Sequence, residues 1–175
     1  FIFDGYWQSE KYFYKNKDEI KSFLLGENAR NVKLSRNSEE VALHIRLGDY
    51  LNFNISKKNH LVCDFVWYLK AINYLYRKNS NFKFVIFTDD PDYVRLNFKL
   101  PDKIEYLISE KETEPHIDLL RMSLFSHFII SNSSYSWWGS FLAREEPNQI
   151  ICPKYWSRDK LTVSMGIHRK NFFLL

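Results

Sequence analysis

The segment with the clearest chemical potential is residues 127–143, HFIISNSSYSWWGSFLA. Its apolar run at 128–130 predicts a buried strand, and the polar residues after it favour a turn and a helix N-cap. Such a junction points backbone N–H groups and the positive end of a helix dipole at one spot, which favours phosphate. The hydroxyls of Ser133, Ser134 and Ser136, with Asn132 beside them, would add polar contacts. A capped helix after a core strand is the alternative, because every helix needs a cap.

A second polar group follows the apolar run VALHIR at 41–46. His44 and Arg46 are two residues apart, so on a strand they point to the same face. An arginine without a partner is costly to bury, so Arg46 must meet an anion. That anion is either a ligand or Asp49 in the turn that follows. His44 considered alone also fits a core histidine.

The third group, Thr88-Asp89-Asp90-Pro91, ends the apolar run KFVIFT. A carboxylate at Asp89 or Asp90 can accept two hydrogen bonds from the paired donors of a guanine edge. Asp90 and Asp92 also form a D-x-D pattern, which would bind a metal ion that neutralises a diphosphate. Arg46 and a helix dipole could do so without a metal.

The elements that must position these groups alternate between strand and helix patterns. We predict helices from Asp18 to a stop at Gly26, and over 64–78, 92–98 and 117–126; further strands are expected at 104–108 and 149–152. This alternation favours an α/β fold, a Rossmann-like open parallel sheet with helices on both faces. The three polar groups would then meet at one edge of the sheet, where such sheets bind ligands.

Composition narrows the class of protein. The chain has 175 residues, 45% of them hydrophobic and 18% aromatic, which suits a domain with a substantial core. A net charge of +4 suits an anionic small ligand or membrane surface but does not indicate nucleic-acid binding. Two cysteines, Cys63 and Cys152, lack metal-site spacing, and reduced thiols are the simpler interpretation. No run is long enough to span a membrane, and no signal peptide is visible.

The motifs HIRLGDY, FTDD and SNSSYSWWGSFLA, in this order, resemble the α-1,2-fucosyltransferases of glycosyltransferase family 11. The opening DGYWQSEKYF and the closing NQIICPKYW are similar to that family as well, so the resemblance covers nearly the whole chain. It implies the C-terminal, donor-binding half of a GT-B enzyme. Residues 1–40 would form a hinge or connector region with a helix, and residues 41–175 the nucleotide-sugar-binding domain. The acceptor-side half of the family would lie outside this sequence.

The resemblance also assigns roles to the polar groups. Arg46 would hold the diphosphate of GDP-fucose, with His44 near the guanine. Asp89 or Asp90 would contact the guanine edge, while Ser133 and Ser134 would touch phosphate. This sequence departs from the common family pattern H-x-R-R-G-D at one position, where Leu47 replaces the second arginine. The resemblance therefore implies a lower affinity for the diphosphate.

The implied reaction is the inverting, metal-independent transfer of L-fucose to a galactoside of a surface glycan. Arg46 would stabilise charge on the β-phosphate, and Asp49 is a candidate general base whose alternative role is to orient Arg46. Two other functions stay open: a metal-dependent nucleotide-sugar transferase that uses Asp90 and Asp92, and a non-catalytic nucleotide-binding module. We expect GDP-fucose and a galactose-terminated acceptor as partners, no resident cofactor and no nucleic acid. The many Lys, Asn, Ile, Phe and Tyr residues suggest a bacterial cytoplasmic enzyme at the inner membrane face, with peripheral membrane association; a eukaryotic enzyme would belong in the Golgi.

Overall fold

The computed structural model describes residues 9–26, 39–47, 63–110, 114–143, 147, 149–156 and 166–175. Six parallel strands form one open sheet within these ranges. They are β1 (Glu40–Ile45), β2 (Lys83–Thr88), β3 (Tyr106–Ile108), β4 (His127–Ile129), β5 (Gln149–Cys152) and β6 (Phe172–Leu174). The described helices are α1 (Lys17–Leu25), α2 (Phe65–Lys78), α3 (Pro91–Asn97), α4 (Pro115–Met122) and α5 (Ser134–Phe141), preceded by two 3-10 turns at Glu10–Tyr12 and Tyr14–Asn16. The predicted open parallel sheet is therefore confirmed.

Both faces of the inner strands β1, β2, β4 and β5 are largely covered, which explains why these strands are apolar runs with little polar alternation, while the edge strands β3 and β6 are more exposed. Val41, Leu43 and Ile45 of β1 point to a core cluster that also contains α2 and α3 residues. Ala42 of β1 belongs to a second cluster on the other face, which Met122 of α4 joins. Alternate residues of β1 therefore pack into hydrophobic clusters on opposite faces of the sheet.

The strand order, β3-β2-β1-β4-β5-β6, determines where a ligand can bind. From β1 the chain builds outward to β2 and β3 on one side, and from β4 to β5 and β6 on the other. β1 and β4 are neighbours in parallel register, with Leu43 opposite Ile129. Their carboxyl ends flank the topological switch point, the crevice where open α/β sheets bind ligands.

The segment 9–26 packs against the back of α5. The ring of Phe13 stacks on Trp138 at 5.4 Å and meets Phe141 edge-on at 5.1 Å. Lys21 Nζ donates to the carbonyl oxygen of Ala143 at 2.7 Å. The described part of the predicted hinge region therefore contacts the domain that begins at β1, and the domain division itself stays a prediction.

Two predicted elements are shorter or displaced in the structure. The strand expected over 104–108 is β3, only 106–108, because the Ile104 N–H donates to the Pro101 carbonyl in a turn. The helix expected over 117–126 is α4, which begins earlier because Pro115 suits the first helical position. It ends at Met122, where the Ser123 hydroxyl donates back to the Leu120 carbonyl.

The other predicted elements differ by a residue or two at their ends. Helix α1 stops at Gly26, whose φ of 52° suits glycine, as predicted. The tail beyond Lys154 supplies β6. No described helix has the length and apolar character needed to cross a bilayer.

Candidate functional site

His44 lies at the carboxyl end of β1 and is held from the neighbouring strand. Its Nδ1 is 2.9 Å from the hydroxyl oxygen of Ser131, which follows β4. Its ring lies 5.3 Å from that of Tyr135, and only 3% of the residue is exposed. Burial, with repulsion from Arg46, lowers the pKa of His44 to about 3. The imidazole is therefore neutral at physiological pH.

Arg46, which follows β1, forms an ion pair with a carboxylate from the adjacent strand end. Its Nη1 lies 2.8 Å from Asp89 Oδ2, and the two side chains are 32% and 24% exposed. The other oxygen of Asp89 accepts the Leu47 N–H at 2.9 Å. Asp89 thus holds both the guanidinium and the backbone beside it, the orienting role that the sequence analysis offered to Asp49. Asp49 lies outside the described residues, so both roles considered for it remain predictions.

The remaining acids of this loop are engaged at the start of α3. The side chain of Asp90 caps the helix by accepting the Tyr93 N–H at 3.0 Å, and its own N–H donates to Thr88 Oγ1 at 3.2 Å. Asp92 is 68% exposed and pairs with Arg95 at 3.0 Å. Among the described residues no group of three acids, histidines or cysteines could hold a metal ion. The D-x-D alternative and the guanine-edge role of Asp89 or Asp90 are not decided by this arrangement.

The turn between β4 and α5 leaves the start of the helix open. Ser133 is the N-cap in extended conformation, and its side chain makes no capping hydrogen bond. Ser134 is exposed at the first helical position. The first N–H groups of a helix have no partner within it, and with the dipole they favour an anion. The contact of Ser133 and Ser134 with phosphate stays a prediction.

Two members of the predicted donor-binding set face the interior. Asn132 Nδ2 donates to the Trp156 carbonyl at 3.1 Å and is 5% exposed. Ser136 is fully buried, with its hydroxyl 3.3 Å from the Ser133 carbonyl and 3.4 Å from Ser131 Oγ. Both side chains therefore support the turn, and a direct contact of either with a donor stays a prediction.

Cys63 and Cys152 are free and buried in the structure. The backbone N–H of Asn132 hydrogen-bonds to the Cys63 thiol, and burial raises the pKa of that thiol. Because its thiol is hard to ionise, Cys63 is a poor nucleophile. Its contact is with the backbone of Asn132, in the turn between β4 and α5.

The structure adds Asp118 and Tyr135, which the sequence analysis did not assign to the site. Tyr135 lies beside His44 and donates its hydroxyl to the Pro115 carbonyl at the start of α4. Asp118 is 9% exposed, and its Oδ1 lies 3.5 Å from Arg121 Nη1. Burial raises the pKa of Asp118, and burial, with a smaller contribution from the charge of Asp118, raises the pKa of Tyr135. The sequence carries no clear signal for Asp118, because only the packing of α4 shows that this acid is buried.

These side chains form a polar edge around the β1–β4 switch point. Arg46 and the open start of α5 can hold negative charge, while the neutral His44 and the buried Asp118 can exchange hydrogen bonds with a polar ligand. A polar edge of this kind, at the switch point of an open α/β sheet, is chemically suited to an anionic ligand that also carries hydrogen-bonding groups.

The chain belongs to glycosyl transferase family 11, whose family model matches residues 1–173. It is 31% identical over 163 residues to an alpha-1,2-colitosyltransferase of Escherichia coli, covering 88% of this chain and 55% of that protein. It is also 31% identical over 140 residues to the O-antigen biosynthesis glycosyltransferase WbnK of Escherichia coli, covering 77% and 46%. A galactoside 2-alpha-L-fucosyltransferase of Bos taurus is 24% identical over 128 residues, covering 73% and 34%. The resemblance stated from the motifs is confirmed at the level of the family.

The chain spans about half the length, or less, of these curated relatives. Among solved structures, a glycosyl transferase family 9 protein from Veillonella parvula aligns with 90% of this chain and 40% of its own. That alignment has 11% identity and a TM-score of 0.46.

Proposed function

We propose that this chain is the donor-binding part of a GT-B α-1,2-fucosyltransferase that transfers L-fucose from GDP-fucose to a galactoside of a surface glycan. Membership in a family with 1,2-fucosyl- and 1,2-colitosyltransferase relatives supports the reaction type. The observation that carries the proposal is the placement of Arg46, held by Asp89, at the switch point beside the open start of α5.

The diphosphate is expected to lie between Arg46 and the first turn of α5. Departure of GDP leaves an oxocarbenium-like sugar while negative charge grows on the β-phosphate. A guanidinium already oriented by Asp89 needs no reorganisation to meet that charge, and such preorganised electrostatics is often the largest catalytic term. The N–H groups behind Ser133 and Ser134 add donors to the same charge.

The nucleoside is expected on the side of His44 and Tyr135. Asp89 and Asp90 were the predicted contacts for the guanine edge, and their hydrogen bonds here connect them to Arg46 and α3. Asp118 is a third carboxylate near this side, and its burial makes it costly to ionise unless a ligand or Arg121 supplies donors. We therefore include Asp118 among the candidates for contacting guanine.

The acceptor hydroxyl must lose a proton, and Asp49 remains the candidate general base. The reaction as proposed needs no metal ion, since Arg46 and the α5 dipole supply positive charge. Peripheral association with a membrane and a bacterial cytoplasmic location belong to the same proposal.

Titration calorimetry of this chain with GDP, GDP-fucose, UDP and ADP tests donor binding. We expect GDP and GDP-fucose to bind more tightly than UDP or ADP. Equal affinity for the three diphosphates would refute the guanine preference, and no binding would refute the donor-site assignment. Transfer to a galactoside is then measured with a full-length enzyme that contains this sequence.

A second candidate function is colitosyl transfer to the same kind of acceptor, because the colitosyltransferase is 31% identical over 88% of this chain. In this candidate the same nucleotide site would hold a colitose donor in place of the fucose donor. Parallel transfer assays with the fucosyl and the colitosyl donor separate the two candidates, and the donor with the higher kcat/KM is the natural one.

A further inference from the structure

A short chain of polar side chains connects β1 with the start of α5. Its first contact joins His44 Nδ1 to Ser131 Oγ at 2.9 Å across 87 residues of sequence. Ser131 Oγ then lies 3.4 Å from Ser136 Oγ, and Ser136 Oγ lies 3.3 Å from the Ser133 carbonyl oxygen. All three side chains are at least 97% buried, so water cannot easily replace these contacts.

The number of protons that the side chains carry decides which group donates and which accepts in each of these hydrogen bonds. The Ser136 hydroxyl has two carbonyl acceptors, that of Ser133 at 3.3 Å and that of Ser131 at 3.5 Å. A carbonyl can only accept, so the Ser136 hydroxyl donates to these oxygens, of which Ser133 is the nearer. The Ser131 hydroxyl can then donate to Ser136 while its own oxygen accepts the His44 Nδ1–H, which makes three hydrogen bonds. If Ser131 instead donated to His44, the single Ser136 proton would still be directed to a carbonyl, no proton would lie between the two serine hydroxyls, and only two bonds would form. Buried polar groups favour the arrangement with more partners.

We propose that Ser131 is a positioning residue that holds His44 as its Nδ1–H tautomer, so that Nε2 accepts a hydrogen bond from an N–H or O–H group of the bound nucleotide. This inference rests on the proposed function. His44 Nε2 has no hydrogen-bond partner among the described residues, while the imidazole itself is held against Tyr135. The nitrogen left without a partner is the one that a ligand can use.

The ring has little freedom to present the other nitrogen. Tyr135 packs against it at 5.3 Å, and Tyr135 is itself tied to α4 through Pro115. Burial of the ring, with repulsion from Arg46 just after β1, opposes a second proton on the imidazole. The imidazole is thus fixed in orientation, tautomer and charge before the ligand arrives, which reduces the free energy spent on ordering.

The proposal is tested first without any ligand, by nitrogen NMR of protein labelled with ¹⁵N-histidine. The chain has five histidines, and the His44→Gln spectrum assigns the resonances of His44. We expect the Nδ1–H tautomer in the unmodified chain, a shift toward Nε2–H in Ser131→Ala and restoration in Ser131→Thr, which keeps a hydroxyl. Ser134→Ala, on the exposed side of the same turn, is the control and should leave the tautomer unchanged. An Nε2–H tautomer in the unmodified chain, or one unaffected by Ser131→Ala, would overturn the proposal.

The second test uses nucleotide affinity, with thermal melting to check that the variants fold. Loss of one positioned hydrogen bond should weaken GDP binding by about tenfold in Ser131→Ala and leave Ser131→Thr close to the parent. IDP lacks the purine amino group and 2′-deoxy-GDP lacks a ribose hydroxyl. The analogue whose affinity is insensitive to Ser131→Ala identifies the group that donates to Nε2. Unchanged GDP affinity in a folded Ser131→Ala variant with an altered tautomer also overturns the proposal.

The two tests separate this inference from the proposed function. A chain that shows the expected tautomer but binds no GDP refutes the donor site and, with it, the ligand contact at Nε2. A chain that binds GDP but has the opposite tautomer refutes only the role of Ser131.

Discussion

Arg46 and Asp89 join the carboxyl ends of two adjacent strands through an ion pair of 2.8 Å. The same carboxylate accepts the Leu47 N–H, so the guanidinium and the chain that carries it are held at two points. A side chain restrained in this way loses less entropy when it binds a phosphate than a free surface arginine would.

Replacing Arg46 by Ala should weaken GDP binding by about 2–5 kcal/mol, because a charge-assisted contact with the diphosphate is lost. Guanosine has no phosphate, so its affinity should change little. Calorimetry with both ligands measures the difference. Arg95→Ala is the matched control, since Arg95 forms an exposed pair with Asp92 and should not affect either ligand. A purely structural Arg46 would instead lower the melting temperature and weaken both ligands alike.

Asp89→Asn should weaken GDP by about 1 kcal/mol, less than Arg46→Ala, because the amide oxygen can still accept the Leu47 N–H while the ionic partner of Arg46 is lost. If Asp89 only orients Arg46, the affinities for GDP and ADP should fall by the same factor. If Asp89 contacts the guanine edge, only the affinity for GDP should fall. The double variant should lose little beyond Arg46→Ala when the two residues act together.

Asp118→Asn should alter the pH dependence of stability. Burial raises the pKa of Asp118 in the folded state above its ordinary value of 3.8. The native state therefore binds more protons than the unfolded state above that value, and this carboxyl makes stability fall as the pH rises through the folded pKa. The Asn variant should lack this contribution and melt higher than the parent at neutral pH. Thermal melts between about pH 4 and pH 7 compare the two proteins. If the melting temperature of the variant fell more steeply with pH than that of the parent, the effect assigned to Asp118 would be refuted.

Nucleotide affinity gives a separate result. A reduced preference of the Asn variant for GDP over ADP would support a role for Asp118 at the guanine.

Gly139→Ala should destabilise the chain by about 1 kcal/mol, the lower end of the range for overpacking. A Cβ at this position would lie 2.9 Å from Met122 Cε and 3.3 Å from Met122 Cβ, where α5 crosses α4. The better helix propensity of Ala offsets part of this cost. Denaturant unfolding measures the change, and Ser134→Ala, at an exposed position of the same helix, serves as control. An unchanged or higher free energy of unfolding would mean that Met122 moves aside without cost.

Excess chelator should leave the affinity for GDP unchanged, because Arg46 and the α5 dipole are proposed to balance the diphosphate charge. Titrations with and without added Mg²⁺ or Mn²⁺ measure this directly. Loss of binding on chelation, together with a matching loss in Asp92→Asn, would favour the metal-dependent alternative.

The sequence predicted β1, β2, β4 and β5 well because they are short, largely buried apolar runs, which their length and the turn residues beside them reveal. It did not predict the edge strand β6, which is largely exposed. It also predicted that His44, Asp89 and Ser133 would gather at one edge, since parallel strands place their carboxyl ends together. It did not predict that Arg46 pairs with Asp89, because that contact depends on β1 and β2 being neighbours in space. Asp118 was missed because an acid on a helix is usually a solvated residue, and only the packing of α4 shows it to be buried.

Strand β3 illustrates a different limit. Ile104 has the β-branched character of a strand residue, yet it is buried in a turn that Pro101 closes. Its apolar side chain packs into the core cluster beside β1 and α2, although its backbone is not extended. Hydrophobic pattern predicts burial more reliably than it predicts the conformation that achieves it.

The strand order also has a consequence for how the chain folds. β1–β2–β3 and β4–β5–β6 each pair strands that follow one another in sequence, so each half can form through comparatively local contacts. The β1–β4 pairing, which brings Ser131 to His44 over 87 residues, requires the largest loop closure among contacts at the switch point. Contacts of such high contact order form slowly. GDP should therefore bind only after the two halves have joined, and its binding during refolding would report a late step of assembly.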